Sequence, residues 1–187
     1  ASDKLFVAAN NLAGLHTTRF SIVRYGNVIG SRGSVIPYFK NLIKTGEKKL
    51  PITHKEMTRF SITLEEGVNF VLQAITNMYG GEIFVPKLPS FKILDLIEVL
   101  AGKNNYYEIG IRPGEKLHEV MIPTEESLNC IDLGDYYLIQ PLFSWWDTKE
   151  FKKTIGKKGV EVDASFAYSS DNNDVWLNYK NLVTLID

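Results

Sequence analysis

The stretch Arg19-Phe20-Ser21-Ile22-Val23-Arg24-Tyr25-Gly26-Asn27-Val28 is rich in β-branched and aromatic residues. It is too apolar for a strand with one wet face, and this composition is typical of a strand buried in a parallel sheet. Glycines follow it, and Ser34-Val35-Ile36-Pro37 then begins a helix with a serine cap and a proline in the first turn. A strand that leads through glycines into a helix predicts an α/β fold.

The residues on both sides of this stretch continue the alternation of helix and strand. Helices are expected at residues 2–11, 34–43, 63–78, 93–100 and 178–186. Strands are expected at residues 50–53, 59–62, 82–86, 106–109, 118–122 and 136–139. The regular alternation ends at Gly102, and the shorter strands after it predict a smaller α+β lobe.

Composition and charge exclude several classes of protein. The chain has 187 residues, of which 44% are apolar and 23% are charged, which is enough for a substantial core. Its 21 basic and 22 acidic residues give a net charge of -1, which argues against a sequence-independent nucleic-acid binder. No apolar run approaches the ~20 residues of a membrane span. The single cysteine, Cys130, excludes an internal disulfide and favours a cytoplasmic location.

The sequence offers little support for a metal site or a catalytic nucleophile. The histidines at positions 16, 54 and 118 do not have the spacing of metal ligands, and His118 is expected to lie in a strand. No Gly-x-Ser-x-Gly motif is present, and Cys130 has no charged neighbour that would activate its thiol. We therefore assign no metal-binding and no catalytic residue.

The glycines after the first strand allow two interpretations. Gly26, Gly30 and Gly33 are separated by four and three residues, which is not the spacing of a dinucleotide-binding fingerprint. They are explained by a connection that needs free backbone angles. Alternatively, Asn27 leaves the carboxyl end of a strand just before a capped helix, which is where ligands bind in open parallel sheets.

A second candidate feature is the turn Arg112-Pro113-Gly114-Glu115-Lys116. It is explained by a surface turn with solvated charges. Alternatively, the rigid turn presents Arg112 to a diphosphate while Glu115 accepts a hydrogen bond from a ribose hydroxyl. Arg59, just before the predicted helix at 63–78, would then be a second guanidinium group directed at the same diphosphate.

Several segments, in this order along the chain, resemble those of a known family. They are Ala1 to Asn11, Arg24-Tyr25-Gly26-Asn27-Val28, Gly33-Ser34-Val35-Ile36-Pro37, Met57-Thr58-Arg59-Phe60 and Arg112-Pro113-Gly114-Glu115-Lys116. The sequence resembles the C-terminal part of inverting UDP-N-acetylglucosamine 4,6-dehydratases. These are extended short-chain dehydrogenases/reductases of pseudaminic acid synthesis.

The resemblance implies the C-terminal part of a Rossmann-type parallel sheet together with a smaller α+β substrate-binding domain. Residues 1–33 and 62–87 would belong to the Rossmann domain, residues 34–61 to a substrate-domain insertion, and residues 88–187 to the substrate-binding domain and tail. In this family NADP oxidises the sugar at C4, water leaves across C5 and C6, and the hydride returns to C6 with inversion at C5.

The resemblance also implies roles for individual residues. Asn27, Arg59 and Arg112 would contact the phosphates of the UDP-sugar, and Glu115 would hold the ribose. The uridine or sugar pocket would be lined by Val35, Thr53 and Met57. The nicotinamide of NADP would lie near Tyr25 and Gly26.

The family's glycine-rich cofactor turn and its Tyr-x-x-x-Lys motif belong upstream of Ala1. We therefore expect the isolated chain to be inactive, to bind NADP poorly, and to expose a sheet edge and an apolar surface covered by homo-oligomerisation. Two alternatives remain open at this stage. One is a dehydratase/epimerase of the N-acetyl-L-fucosamine route, in which His replaces Pro113. The other is a non-catalytic nucleotide-sugar binding or oligomerisation module.

Overall fold

The computed structural model describes residues 2–12, 17–143, 145–156 and 158–186. His16, one of the histidines considered above, lies outside these residues. The described residues form two compact units. The first unit comprises those within 1–25, 65–87 and 121–167, and the second unit those within 26–64, 88–120 and 168–187.

The elements confirm an α/β chain. The helices are α1 (Ser2–Leu12), α2 (Val35–Lys44), α3 (Leu64–Asn77), α4 (Ile93–Ala101), α5 (Thr148–Ile155) and α6 (Tyr179–Ile186), with a 3₁₀ helix at Thr124–Asn129. The strands are β1 (Ile22–Val23), β2 (Asn27–Val28), β3 (Leu50–Ile52), β4 (Thr58–Ile62), β5 (Ile83–Pro86), β6 (Ser90–Lys92), β7 (Tyr106–Glu108), β8 (Val120–Ile122), β9 (Cys130–Asp132), β10 (Tyr136–Ile139), β11 (Val160–Glu161) and β12 (Tyr168–Ser169).

The first unit contains a mixed sheet in the strand order β1-β5-β10-β9-β11. The β1–β5 pair is parallel as predicted, whereas β10 pairs antiparallel with both β5 and β9. The antiparallel hairpin has a local cause, because Gly134 adopts a φ of 90° in the tight turn between β9 and β10. The core of this unit includes Phe84, Ile131, Tyr136 and Leu138.

The predicted single strand over residues 19–28 is wrong, because the chain forms two short strands there, one in each unit. Arg24, which follows β1, is held inside the first unit. Its guanidinium lies 2.6 Å from a Glu126 oxygen and 2.9 Å from an Asp3 oxygen. Burial by itself lowers the pKa of Arg24, but the hydrogen bonds and charges of Glu126 and Asp3 raise it above its ordinary value.

The second unit is built around β4, which pairs parallel with β2 and antiparallel with β6. A separate parallel pair joins β3 to β7. Apolar residues of α2, α4 and α6 pack on these strands and form the core, which includes Phe39, Leu50, Ile52, Leu96 and Leu182. These helices and strands position the site described below.

The two units also differ from the predicted domain boundaries. Residues 121–167 belong with 1–25 and 65–87 and are not part of a continuous domain over 88–187. The physical reason is the pairing of β10 with β5, which adds this segment to the first sheet. Strand β8 begins at Val120, so the prediction that His118 lies in a strand is wrong.

The first unit has exposed apolar side chains on α1 and a strand at the edge of its sheet. Strand β1 stands at one end of the strand order of its sheet. On α1, Leu5 is 72% exposed, and Phe6 and Leu12 are exposed as well. None of the helices in the described part of the chain is long and apolar enough to cross a membrane.

Candidate functional site

The second unit contains a cavity of about 780 Å³. Small-molecule sites in proteins have volumes of ~300–1,000 Å³, so the cavity can take a ligand of nucleotide-sugar size. It lies between the start of α2, the end of β3, β4 and the turn at 112–115. Every residue predicted to bind the substrate lines it, namely Asn27, Val35, Thr53, Met57, Arg59, Arg112 and Glu115.

One wall of the cavity is apolar. Met57 and Phe91 are buried core residues that also face the cavity, and Ile93 and Ile109 extend the same wall. The flat face of a nucleobase packs favourably on such a surface, because the contact removes apolar area of both the ring and the protein from water. Sequence reasoning did not identify Phe91, Ile93 and Ile109, whose pattern predicts only core positions.

Helix α2 begins at the cavity with Ser34 in the cap position, as predicted. However, the Ser34 side chain makes no capping hydrogen bond. Its Oγ is buried and has no hydrogen-bond partner among the described residues. Ser34 therefore occupies the N-cap position through its extended backbone conformation, without the side-chain hydrogen bond that usually caps a helix.

The Glu115 carboxylate connects two walls of the cavity. One oxygen accepts a hydrogen bond from Thr53 Oγ1 at 3.0 Å, and the other accepts one from the Arg112 backbone amide at 3.3 Å. The Glu115 amide donates to the Arg112 carbonyl at 3.0 Å and closes the turn. Gly114 adopts a φ of 81° within it. The turn is therefore fixed by its own hydrogen bonds, with both side chains at the cavity.

Arg59 is bound mainly to the protein itself. Its Nη1 donates to the carbonyl oxygens of Thr58 at 2.7 Å and Leu117 at 2.9 Å, and its Nη2 donates to that of Lys116 at 2.9 Å. Its Nε lies 3.4 Å from a carboxylate oxygen of Glu119, and the side chain is 12% exposed. Because a guanidinium has five N–H groups, this arrangement leaves one Nη2 hydrogen for a ligand.

Burial lowers the pKa of Arg59, and the carboxylates of Glu119 and Glu115 oppose this shift without cancelling it. The Arg59 guanidinium nevertheless stays charged, because arginine is protonated at any pH at which proteins fold. Its main role in the structure is to hold segment 116–119 against β4.

Arg112 differs from Arg59 in both exposure and bonding. Its side chain is exposed at the cavity. Its guanidinium has no hydrogen-bond or ion-pair partner in the described part of the chain. The structure thus brings both predicted arginines to one cavity, but Arg112 is the one with its full set of donors available.

Tyr25 and Gly26 do not line the cavity. A Cβ added at Gly26 would lie 2.6 Å from the Cβ of Phe60, so packing in the second unit already explains this glycine. The Tyr25 side chain is 49% exposed. The packing against Phe60 concerns one side of Gly26, and the position of the nicotinamide near Tyr25 and Gly26 stays a prediction of the family resemblance.

Metal and thiol chemistry gain no support from the geometry. Over the residues that the structure describes, no group of His, Cys, Asp and Glu side chains could hold a metal ion. The Cys130 thiol is buried, and burial, with smaller effects of Asp132 and Glu126, raises its pKa to about 12. A thiol with this pKa is not ionised at neutral pH and is a poor nucleophile.

Comparison with known proteins places the chain in a family. The family model described as "Polysaccharide biosynthesis protein" matches residues 1–141, which include every predicted substrate-binding residue. The chain belongs to this family. It is 53% identical over 189 aligned positions to the UDP-N-acetylglucosamine 4,6-dehydratase (inverting) of Campylobacter jejuni. That alignment covers 100% of the chain but 57% of the relative, so the chain spans little more than half the relative's length.

Two further relatives agree with this placement. The UDP-glucose 4-epimerase of Rickettsia canadensis is 43% identical over 141 residues, covering 73% of the chain and 41% of the epimerase. Among solved structures, the X-ray structure of Pen from Bacillus thuringiensis superposes with a TM-score of 0.80 at 33% identity, covering 99% of the chain and 53% of Pen. These similarities confirm the family and the α/β fold that the sequence resembles.

The close contact at Gly26 leads to a stability prediction. In Gly26→Ala the new methyl group would overlap Phe60, whose backbone also lies nearby, so the free energy of unfolding should fall by about 3 kcal/mol. Urea unfolding followed by circular dichroism measures this loss. The control is Gly30→Ala, where a Cβ meets no atom within 4 Å and backbone strain alone costs about 1 kcal/mol. Equal stability of Gly26→Ala and the unmodified chain would contradict the packing role.

Proposed function

We propose that the complete protein carrying this sequence is an inverting UDP-N-acetylglucosamine 4,6-dehydratase, to which this chain contributes the UDP-sugar-binding part. The observation that carries the proposal is the single cavity that gathers every residue predicted for the substrate. The identity of 53% to the Campylobacter jejuni dehydratase along the whole chain supports it. Because the chain spans 57% of that relative, the activity is proposed for the complete protein.

Charge and shape suggest how the cavity would hold the ligand. The unpaired Arg112 guanidinium would bind the diphosphate through charge-assisted hydrogen bonds. Glu115 is fixed by Thr53 and would accept a hydrogen bond from a ribose hydroxyl with its remaining lone pairs. Asn27 offers an amide at the same cavity, and Val35 and Met57 offer apolar contact to a ring.

We propose NADP as the cofactor of the complete protein on the basis of the family resemblance. NADP supplies the hydride acceptor and donor for oxidation at C4 and reduction at C6. From this chain, the resemblance places Tyr25 and Gly26 near the nicotinamide. The contribution of this chain is to bind and orient the sugar nucleotide.

The proposal also includes the pathway, the cellular location and the assembly of the complete protein. We propose a role in pseudaminic acid synthesis, a cytoplasmic location, and homo-oligomerisation through the exposed apolar side chains of α1. Leu5, Phe6 and Leu12 support the last of these, since exposed apolar residues grouped on one helix are typical of contact surfaces.

A second candidate function is a UDP-sugar 4-epimerase. The identity of 43% to the Rickettsia canadensis epimerase favours it, although that alignment covers 73% of the chain. Both activities use a UDP-sugar and therefore make the same demand on the cavity. The products differ, because dehydration removes water and epimerisation does not.

The reaction can be tested with the complete protein, NADP and UDP-N-acetylglucosamine. We expect a 4-keto-6-deoxy product whose mass is lower by one water molecule, measured by mass spectrometry. A product of unchanged mass with inverted C4 would favour the epimerase. No conversion, with UDP-N-acetylglucosamine still bound, would favour a non-catalytic binding module.

Arg112→Ala tests the binding site directly in the 187-residue chain. The substitution removes a charge-assisted hydrogen bond to the diphosphate, so the affinity for UDP-N-acetylglucosamine should fall by about tenfold or more. Titration calorimetry measures the change. The matched control is Lys103→Ala, which removes an exposed cation that does not line the cavity. An unchanged affinity in Arg112→Ala would remove the main support for the site.

A further inference from the structure

A hydrogen-bonded row of side chains lies behind the cavity, in the same unit. The Thr58 hydroxyl lies 2.8 Å from His118 Nδ1 and 2.7 Å from Ser170 Oγ. Ser170 Oγ also accepts a hydrogen bond from the Glu119 backbone amide at 2.9 Å. Thr58 is 4% exposed and Ser170 is 0% exposed, so Ser170 is fully buried, while Thr58 is nearly buried at the edge of the cavity that it lines with His118.

When His118 is neutral and has no hydrogen on Nδ1, the hydroxyl hydrogens of Thr58 and Ser170 are enough to form both hydrogen bonds between these side chains. Thr58 then donates to His118 Nδ1, and Ser170 donates to Thr58 Oγ1. Ser170 Oγ keeps the hydrogen bond that it accepts from Glu119. Each hydroxyl hydrogen forms one of the two hydrogen bonds, so every donor in the row has an acceptor.

A hydrogen on His118 Nδ1 changes this balance. The Nδ1 hydrogen and the two hydroxyl hydrogens are then available for only two hydrogen bonds, Thr58–His118 and Thr58–Ser170. Either the Thr58 or the Ser170 hydroxyl therefore loses its acceptor. No other acceptor is recorded for either group in the described residues. A buried donor without an acceptor is costly, so the row favours the form of His118 without a hydrogen on Nδ1.

The row and the cavity share a segment of chain. Arg59 donates to the carbonyl oxygens of Lys116 and Leu117, directly before His118. The same segment follows the turn that places Arg112 and Glu115 at the cavity. His118 is therefore three residues from Glu115 along a segment that ends at the groups assigned to the ligand.

Charged groups of both signs surround His118. Glu56, Lys92, Asp95 and Asp171 line the neighbouring cavity with His118, and Glu119 follows it in sequence. The charge of His118 contributes only a minor part of the lowering of the Asp171 pKa, which the hydrogen bond from Ser169 dominates. Asp171 is exposed, and attraction between exposed charges is screened by water, whereas the loss at the buried hydroxyl pair is not.

We propose that His118 is a positioning residue that holds the Arg112–Glu115 turn through Thr58 and Ser170, and that its protonation weakens binding of the sugar nucleotide. The proposal rests on the proposed function for the identity of the ligand. Imidazole is the side chain that ordinarily changes charge between about pH 5 and 8, so binding is to be compared across that range.

Two conservative variants isolate the hydrogen bond. In His118→Asn the amide Oδ1 takes the place of Nδ1 as acceptor for Thr58, whereas in His118→Gln the longer side chain places its amide near the former Nε2. His118→Asn should therefore keep the hydrogen bonds of the row, but it replaces the imidazole with a side chain that cannot gain a proton in this pH range. His118→Gln should lose the row at every pH.

The first measurement is calorimetric titration with UDP-N-acetylglucosamine, whose diphosphate diester does not change charge in this range. Between about pH 7.5 and 5.5 the unmodified chain should lose roughly fivefold in affinity, the equivalent of one net hydrogen bond. His118→Asn should show the same affinity at both pH values, and His118→Gln should bind weakly at both. The same loss of affinity in His118→Asn as in the unmodified chain would overturn the proposal.

The second measurement does not depend on a ligand. The ¹⁵N shifts of selectively labelled histidine, assigned by the signal lost in His118→Asn, should show a bare Nδ1 at about pH 8. A hydrogen on Nδ1 at that pH would overturn the proposal. If the chain binds no UDP-N-acetylglucosamine at any pH, the proposed function fails. In that case, the positioning role would still be supported by a bare Nδ1 together with a loss of stability in acid that His118→Asn does not show. If either observation is absent, the positioning role is overturned.

Discussion

Strand β4 holds the segment at 116–119 mainly through one guanidinium group. Arg59 donates to the carbonyl oxygens of Thr58, Lys116 and Leu117 at 2.7 to 2.9 Å, and its Nε lies near Glu119. Backbone carbonyls in a connecting segment need partners when they are turned away from water, and Arg59 supplies them. The position of the turn that bears Arg112 therefore depends on a residue of the sheet.

The neighbouring residue of β4 contributes on the other face of the strand. Successive side chains of a strand point to opposite sides, so Thr58 and Arg59 contact the same segment from different directions. Thr58 does so through His118, and Ser170 completes the row from the last part of the chain. The segment is thus fixed by the Arg59 contacts, by the hydrogen bond from the Thr58 amide to the Leu117 carbonyl at 3.2 Å, and by a chain of neutral side-chain hydrogen bonds.

The sequence was most informative where chemistry is local. The helix over 35–44 and the strand over 58–62 follow from apolar spacing and breakers, and the predicted substrate residues meet at one cavity. Those roles came from a family resemblance, since Arg59 and Arg112 alone are equally typical of a surface. The split of residues 19–28 into two strands could not be predicted, because β1 pairs with the distant strand β5 while β2 pairs with β4.

Other features depend on pairing between distant parts of the chain. The antiparallel addition of β10 to β5 joins residues far apart in sequence and changes both the sheet and the unit boundaries. The roles of Thr58 and Ser170 are similarly invisible in sequence, since single hydroxyl residues carry no periodic signal. Arg59 is predicted at the diphosphate, but its bonds to backbone carbonyls leave it a single Nη2 hydrogen for a ligand.

We propose that one cavity in the second unit binds a nucleotide sugar with its diphosphate at Arg112. The decisive experiment is a crystal structure of the protein with UDP-N-acetylglucosamine. The ligand should lie between α2 and the turn at 112–115, with Arg112 on the diphosphate and the Arg59 contacts to Lys116 and Leu117 preserved. A ligand bound elsewhere on the chain, or bound in the cavity with Arg112 turned away into solvent, would contradict it.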